Sequence, residues 1–226
     1  MELGTLGQII RTSTGLGRLT KPDALPSVYL LRNMTKKKII LASGSPRRQE
    51  MLRETGFGFT ACAINADESF PDTLEASSVA EYLAVKKSNA YPAKLADDEV
   101  LITSDTVVIL NDEILGKPEG PEEAKSMLRS LSGKRHKVMT GVCVRSSERY
   151  KSFASTTKVD FKELSDTEID YYVEKYKPFD KAGAYGIQEW IGKVAVTGIE
   201  GSFYNVMGLP IDRLYKHLLD FGCQIS

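Results

Sequence analysis

Long apolar runs, histidine clusters and paired cysteines are all missing from this sequence of 226 residues. No stretch reaches the roughly 20 apolar residues that a membrane-spanning helix needs, so we expect no membrane segment. His136 and His217 are the only histidines, which argues against a histidine-rich zinc site and against a Ser-His-Asp triad. The sequence also contains no GxxxxGK[ST] phosphate-binding motif.

Excess charge of either sign is missing as well. The 30 Lys and Arg residues balance 30 Asp and Glu residues, so no global field attracts nucleic acid, and an anion site must be a local patch. The three cysteines, Cys62, Cys143 and Cys223, are odd in number and far apart. They are typical of free thiols in a reducing compartment, which predicts a cytoplasmic location.

Composition predicts a globular domain over residues 37–226, preceded by an extension over residues 1–36. Hydrophobic residues make up 42% of the chain and charged residues 27%, which is ordinary for a packed domain. The extension combines basic residues with scattered Ser, Thr and Gly, and we expect it to be mostly disordered. It has some features of a mitochondrial targeting peptide, although Glu2, Pro22 and Pro26 argue against that role.

Residues 38–56 predict a strand, a loop of small residues and a helix. An apolar run over residues 39–42 indicates a buried strand. Ser45 suits a helix N-cap, Pro46 suits the first helical position, and Gly56 suits the end of the helix. The loop therefore leads into a helix N-terminus, where unpaired N–H groups and the helix dipole favour a bound anion.

Two arginines in the first turn of that helix strengthen the prediction of an anion site. Arg47 and Arg48 are mildly unfavourable at a helix N-terminus, by roughly 0.3–1 kcal/mol each. A bound anion would reverse that cost, since one Arg–phosphate pair gains on the order of 4 kcal/mol at about 4 Å and an effective dielectric near 20, before desolvation. Gly44 would let the ligand approach the backbone closely. The alternative is a turn with two solvated arginines.

Acidic residues are predicted at the ends of two further strands. A strand over residues 57–64 leads to Glu68, and Asp105 lies between the apolar runs 100–104 and 107–110. A carboxylate placed there is half-buried, and burial without a partner is costly. Asn111-Asp112 then predicts a two-residue hairpin turn, which brings Lys117 near Asp105.

The remaining elements are predicted from capping signals and periodicity. Capping boxes predict helices that begin at Ser78 and at Ser165, and Pro121 begins a helix that extends to Leu131. Two long antiparallel strands are predicted over residues 138–145 and 150–161, shorter strands over 192–197 and 203–207, and a last helix after Pro210. Spacing alone favours two solvated lysines for Lys86 and Lys87.

Taken together, the polar residues at strand ends and in loops form a set with a common chemistry: Ser43, Arg47, Arg48, Glu68, Asp105, Lys117 and Gln188. The set combines cations for phosphates with carboxylates for a hard cation. Mg²⁺ typically takes one or two carboxylates together with phosphate oxygens of the substrate. The reaction class that this favours is metal-assisted hydrolysis of a phosphoanhydride.

The motif ASGSPRR at residues 42–48 resembles the signature loop of the Maf family of nucleoside triphosphate pyrophosphatases. The resemblance covers roughly residues 37–222 and continues through SDTV at 104–107, GKP at 116–118, LSG at 131–133, DKAGAYGIQ at 180–188 and GLP at 208–210. It implies an elongated α/β fold with a mixed sheet, flanking helices and a deep cleft between two lobes, similar to the inosine triphosphatases. It also implies hydrolysis of a nucleoside triphosphate to the monophosphate and pyrophosphate with Mg²⁺ or Mn²⁺, and a possible homodimer.

The same resemblance assigns roles residue by residue. Asp105 corresponds to the general base, and Glu68 to a carboxylate near the metal, for which Asp105 is an alternative ligand. The remaining positions correspond to substrate-binding residues, namely Ser43, Arg48, Lys87 and Lys117 for the phosphates and Arg47, Thr106 and Gln188 for the subgroup that acts on dTTP and UTP. A free Asp has a pKa near 3.9, so either the metal acidifies the attacking water or the site raises the pKa of Asp105.

Some positions depart from the family pattern, and other functions stay open. Ser104 and Gly116 stand where the family more often has Ala and Glu, and residues 188–192 are bulkier than is usual. One alternative is a non-catalytic nucleotide-binding module with a regulatory role. Another is a pyrophosphatase for 7-methyl-GTP or damaged purine nucleotides, based on likeness of fold alone.

Overall fold

The computed structural model describes residues 36–225, and the predicted extension lies outside the described residues except for Lys36. The described part alternates strands and helices. In chain order these elements are β1 (Lys38–Ala42), α1 (Pro46–Glu54), β2 (Phe59–Cys62), α2 (Ala76–Asn89), β3 (Glu99–Leu110), β4 (Glu113–Leu115), α3 (Pro121–Leu131), β5 (Arg135–Arg145), β6 (Tyr150–Phe161), α4 (Asp166–Tyr176), α5 (Trp190–Ala195), β7 (Val196–Glu200), α6 (Phe203–Met207) and α7 (Ile211–Asp220).

The strands of residues 36–225 form one mixed sheet of seven strands. Its order is β2-β1-β3-β5-β6-β7, and β4 pairs with β3. The pairs β1–β2 and β1–β3 are parallel, whereas β3–β5, β5–β6 and β6–β7 are antiparallel. With helices packed against this sheet, the predicted mixed α/β fold is confirmed.

One edge of β3 is paired at both ends and open in the middle. The first residues of the strand, 99–102, pair with β1, and its last residues, 108–110, pair with β4. The opposite edge pairs with β5 over residues 101–109. Both β1 and β4 therefore lie along the same edge of β3. Between them, residues 103–107 have no strand neighbour on this edge in the described part of the chain. This gap is where a ligand can reach the middle of the sheet.

Apolar cores lie on both sides of the gap. On one face of β3, Val100 and Ile102 pack into a core with α1 and α7, while Val108 and Leu110 pack into a second core with α3 and α4. Burial of each such side chain stabilises the fold by roughly 1.5–3 kcal/mol. On this face of β3 the residues between the two cores, Ser104 and Thr106, are polar, in keeping with the predicted arrangement of two lobes around a cleft.

Helix α2 covers the other face of β3 and approaches β5 closely at Gly141. A Cβ atom at this glycine would lie 2.1 Å from the carbonyl oxygen of Ala80 in α2. Any larger residue would push the helix away from the sheet. Gly141 is paired in register with Asp105, so the close approach brings the last turn of α2 over the gap.

Local signals predicted several elements correctly. Helix α1 begins with Ser45 as N-cap and Pro46 at its first position, and Gly56 follows its last turn with φ 82°. The capping box of Ser165 and Glu168 forms both of its hydrogen bonds. Asn111-Asp112 forms the hairpin turn between β3 and β4, with positive φ at both residues.

Three predictions of local structure were wrong. Helix α2 begins at Ala76, two residues before Ser78, because Leu74 and Ala76 already pack against the sheet. The strand predicted over residues 192–197 begins only at Val196, because residues 190–195 form a helix in which Ile191 and Ala195 are buried four residues apart. Residues 203–207 are also helical, and the hydroxyl of Ser202 accepts a hydrogen bond from the N–H of Asn205 to cap them.

None of the described helices is long and apolar enough to cross a membrane, as the sequence predicts.

His136 is buried in the second core, 2% exposed, beside the pocket described below. Its Nε2 atom lies 2.8 Å from the hydroxyl of Tyr185, and its ring meets Phe161 edge-on at 5.0 Å. Its Nδ1 atom has no hydrogen-bond partner in the described part of the chain. Burial lowers the pKa of His136 from 6.5 to about 4. This histidine is neutral in the folded protein at neutral pH.

We predict that this histidine makes the fold less stable in mild acid. Above pH 6.5 the ring is neutral in both states, whereas between pH 6.5 and about 4 only the unfolded chain binds the proton. The free energy of unfolding should therefore fall by about 2 kcal/mol between about pH 7 and pH 5 on account of this residue. Urea unfolding gives the free energy of unfolding of the wild type and of His136→Gln, whose side chain does not titrate, at each pH. The contribution of His136 is the change with pH of the difference between these two free energies. A difference that stays constant over this range would contradict the prediction.

Candidate active site

A cavity of about 490 Å³ opens at the gap along β3. Its walls come from the end of β1, the first turn of α1, the loop after β2, the loop after β4 and the loop before α5. All nine residues singled out in the sequence line it, namely Ser43, Arg47, Arg48, Glu68, Lys87, Asp105, Thr106, Lys117 and Gln188. Residues separated by up to 145 positions in the chain thus meet in one cavity.

Lys87 lies between the two carboxylates of the site. From the last turn of α2, its Nζ atom donates to Glu68 Oε1 at 2.8 Å and to Asp105 Oδ1. Lys117 donates to the other oxygen of Glu68 at 3.0 Å. Burial raises the pKa of Glu68, but the hydrogen bonds and charges of Lys87 and Lys117 outweigh burial and lower it to about 2. Glu68 is therefore ionised at neutral pH.

The sequence predicted Asp105 at the end of a strand. This was wrong, because Asp105 lies in the middle of β3. It is 8% exposed and faces the side of the sheet that α2 covers. The ion pair with Lys87 explains why the strand can continue through a carboxylate, since a buried charge needs a partner of opposite sign. Asp105 is thus held rigidly at the floor of the cavity.

The guanidinium of Arg48 is occupied by the protein itself. Its Nε atom donates to the carbonyl of Gly208 at 2.8 Å, and Nη1 donates to the carbonyl of Ser104 at 2.9 Å. Nη2 donates to Thr106 Oγ1 at 2.9 Å. Burial lowers the pKa of Arg48, and the charge of Asp105 opposes that shift. Arg48 joins α1, β3 and the turn after α6, and two of its five N–H groups remain for a ligand.

A chain of hydroxyl groups continues from Arg48 into the sheet. Thr106 Oγ1 lies 3.0 Å from Thr140 Oγ1, and Thr140 donates to the carbonyl of Asn205 at 2.9 Å. Because a carbonyl only accepts, the proton of Thr140 points to Asn205, and the proton of Thr106 must point to Thr140. The oxygen of Thr106 can then serve a ligand only as a hydrogen-bond acceptor.

The loop that follows β1 and leads into α1 has the geometry predicted for anion binding. Ser43 is buried, and its hydroxyl accepts a hydrogen bond from the N–H of Ser45 at 3.3 Å. A Cβ atom at Gly44 would make only an ordinary contact, 3.8 Å from Ala63, so the space beside this backbone is open. The first N–H groups of α1 have no intrahelical acceptor and line this space.

The loop before α5 supplies the opposite wall. Gln188 is half-buried there, and a Cβ atom on Gly186 would lie 2.9 Å from its Nε2 atom, so a larger residue at 186 would make the amide shift. Arg47 donates to Asp180 Oδ2 at 3.0 Å across the cavity mouth. Lys181 and Tyr185 also line the cavity. Both belong to the DKAGAYGIQ motif, but nothing in the sequence predicts that either side chain reaches a ligand.

The charges around the cavity sum to a positive value. Five cationic side chains and three carboxylates line it, a net charge of +2: Arg47, Arg48, Lys87, Lys117 and Lys181 against Glu68, Asp105 and Asp180. The local cationic patch that the neutral composition required is therefore present.

Two carboxylates are available for a metal ion. Glu68 and Asp105 face each other across one ammonium group. Within residues 36–225 there is no cluster of three or more His, Cys, Asp or Glu side chains that could hold a metal ion. The donor set therefore fits a hard cation that takes part of its coordination shell from phosphate oxygens and water, and it does not fit a metal held by protein alone.

Comparison with known proteins gives a consistent result. A family model described as Maf-like protein matches residues 38–221. The chain is 51% identical over 190 residues to the dTTP/UTP pyrophosphatase of Bacteroides thetaiotaomicron, covering 84% of this chain and 98% of that protein. It is 50% identical over 190 residues to the dTTP/UTP pyrophosphatase of Phocaeicola vulgatus, with the same coverage.

Among solved structures, the Staphylococcus aureus Ham1 protein covers 55% of this chain and 72% of its own, at 15% identity and a TM-score of 0.39. A score this low supports no conclusion about fold or function.

We predict that Arg48 contributes to stability and its neighbour Arg47 does not. Arg48→Met removes three hydrogen bonds and leaves the carbonyls of Ser104 and Gly208 with weaker partners, so the free energy of unfolding should fall by about 2–4 kcal/mol. Arg47→Met breaks only an ion pair with Asp180, whose side chain is 60% exposed, and should cost less than about 1 kcal/mol. Urea unfolding measures both, and equal losses would contradict the prediction.

Proposed function

Because the chain belongs to the Maf-like protein family, we propose that it hydrolyses dTTP, UTP and related pyrimidine nucleoside triphosphates to the monophosphate and pyrophosphate. The observation that carries the proposal is the convergence of nine predicted residues on one cavity, with Asp105 and Glu68 on either side of Lys87. Relatives at 51% and 50% identity that are dTTP/UTP pyrophosphatases support this substrate class.

The phosphate chain is bound by the cationic wall of the cavity. A triphosphate carries about four negative charges near neutral pH, and a divalent cation reduces this to about two. That value complements the net charge of +2 on the cavity lining. The loop at Ser43 and the first N–H groups of α1 offer neutral donors for phosphate oxygens, while Lys87 and Lys117 offer charged ones.

Glu68 and Asp105 are the residues that would hold Mg²⁺ or Mn²⁺, which when bound makes water more acidic and neutralises phosphate charge. If these two carboxylates held the cation, Lys87 would give up part of its contact with one of them and turn toward a phosphate oxygen. The ammonium group has three N–H groups, so it can keep one carboxylate and still donate to the substrate. Lys87 then stabilises negative charge on both partners.

Asp105 is the residue best placed to accept a proton from the attacking water. Its side chain is fixed by the strand and by Lys87, and it lies at the floor of the cavity, where the phosphate chain is enclosed. Lys117 and Glu68 lie at the rim beside it. As a ligand of the cation, Asp105 would orient the water from the same position.

Gln188 and Thr106 are the polar groups that read the base. The amide of Gln188 carries both a donor and an acceptor, which suits the edge of uracil or thymine. The oxygen of Thr106 only accepts, because its proton points to Thr140, and uracil and thymine offer an N–H where cytosine has an acceptor. This pair of groups favours dTTP and UTP over CTP.

A cytoplasmic location and a homodimer stay predictions. The three cysteines of the described chain are free thiols, and two of them, Cys143 and Cys223, are buried, which is compatible with a reducing compartment.

The proposed activity predicts a defined order of substrates. With Mg²⁺ or Mn²⁺ present, release of pyrophosphate from a panel of dTTP, UTP, CTP, 7-methyl-GTP and ITP should be fastest for dTTP and UTP. Preference for 7-methyl-GTP or ITP would replace the proposal with a purine activity. Tight binding of dTTP without pyrophosphate release from any member of the panel would indicate a regulatory nucleotide-binding module.

We predict that Asp105→Asn lowers kcat by about 100-fold or more, since a general base contributes on the order of 10²–10⁴ to the rate. Binding of the triphosphate with its cation should persist, because the cationic wall is unchanged. Rates of pyrophosphate release and calorimetric titration with dTTP measure the two effects. Asp112→Asn is the matched control, since this exposed residue has φ 65°, where asparagine is well tolerated. Unchanged turnover in Asp105→Asn would rule out both roles of the carboxylate.

A further inference from the structure

Lys181 is a buried cation on the wall of the cavity. Its residue is 8% exposed, and it follows Asp180 in the loop before α5. A buried ammonium group is costly unless carboxylates surround it. A residue kept at that cost on the wall of a ligand cavity needs either a structural or a binding explanation.

The contacts of Lys181 account for two of its three N–H groups. Its Nζ atom donates to Asp180 Oδ1 at 2.7 Å and lies 3.1 Å from Glu189 Oε1. No third partner is present among residues 36–225. An ammonium group has three donors, so one remains for a ligand in the cavity that Lys181 lines.

Glu189 is itself anchored from behind. Its Oε2 atom accepts a hydrogen bond from the hydroxyl of Tyr172, and that hydroxyl oxygen accepts one from the N–H of Gly186 at 3.0 Å. The Tyr172 ring is fully buried and stacks on Tyr176 at 5.1 Å. Lys181 is therefore held by a chain of groups that ends at a fully buried tyrosine, which lowers the entropy lost when it binds a ligand.

Asp180 places a second cation beside Lys181. One of its oxygens accepts from Lys181 and the other from Arg47 at 3.0 Å, so a single carboxylate lies between the two cations. Its side chain is 60% exposed and can turn toward solvent. An anion that enters the cavity could take the place of Asp180 and accept hydrogen bonds from both Arg47 and Lys181.

We infer that Lys181 is a further substrate-binding residue, which binds the phosphate chain of the triphosphate together with Arg47, and that Glu189 is the positioning residue that holds it. The inference rests on the proposed function for the identity of the substrate. An anionic ligand follows from the chemistry of the pair, because a buried ammonium beside a guanidinium recognises negative charge more strongly than a base or a sugar.

Inorganic tripolyphosphate tests the inference without a base and without turnover. With Mg²⁺ present, calorimetry should show that Lys181→Met weakens binding of tripolyphosphate by about tenfold or more, as expected when a charged hydrogen bond is lost. Lys181→Arg, which keeps the charge, should bind it more tightly than Lys181→Met. Lys158→Met, in which an exposed lysine loses its ion pair with Glu200, is the matched control and should bind tripolyphosphate as the wild type does.

The outcomes separate this inference from the proposed function. Unchanged tripolyphosphate binding in Lys181→Met, or no binding to the wild type, would overturn the inference even if nucleotide turnover fell. A different result is also conceivable: tripolyphosphate binding depends on Lys181, but the protein hydrolyses none of the nucleotides. This result would support the phosphate contact of Lys181 and reject the proposed activity.

The positioning role of Glu189 is tested by non-additivity. Glu189→Gln should weaken tripolyphosphate binding by a factor of about three to ten in the wild-type background, and should have little further effect in Lys181→Met. Glu200→Gln is the matched control for the loss of a glutamate charge. An equal effect of Glu189→Gln in both backgrounds would mean that it acts on the fold in general and not through Lys181.

Discussion

The ammonium group of Lys87 lies between the carboxylates of Glu68 and Asp105 and makes it possible for an acid to occupy the middle of a buried strand. Without it, Asp105 would be a charge with little access to water, at a cost of several kcal/mol. Gly141 lets α2 lie directly on β5 at Ala80, and Lys87 extends from the last turn of the same helix. A glycine on one strand, an acid on its neighbour and a lysine on the helix above thus depend on one another.

The same principle extends around the cavity, where every cationic group already has a partner. Arg48 binds carbonyl and hydroxyl oxygens, while Lys117 and Lys181 bind carboxylates. An incoming anion must compete with these partners, so a singly charged ligand gains little. A polyphosphate gains more, because its several charges can replace several of these internal contacts at once. These internal ion pairs and hydrogen bonds therefore favour ligands that carry several negative charges.

Much of this arrangement could be predicted from sequence, because many of the signals are local. The helix from Pro121 to Leu131, the box of Ser165 and Glu168, and the hairpin at Asn111-Asp112 each contain the residues that determine their geometry. The nine site residues were found from motifs, and all of them line one cavity.

Where prediction failed, the deciding contact was distant in sequence or the element was too short. Asp105 looks like a strand breaker until Lys87, 18 residues earlier, is placed above it. The helices at residues 190–195 and 203–207 have too few residues for a helical period to show against β-branched and aromatic composition. The DKAGAYGIQ motif contains Lys181 but gives it no role, because its burial depends on Glu189 and Tyr172, which no local pattern connects to it.

The three long strands β3, β5 and β6 extend without interruption from one apolar core to the other, beneath the cavity. A hinge needs a few residues whose backbone angles can change freely, and residues in the interior of a hydrogen-bonded sheet are not free in this way. The two cores can therefore move relative to each other only as the whole sheet twists. Entry and release of a ligand must depend on the rim, where the loops after β2 and before α5 can open while the floor that holds the acid stays fixed.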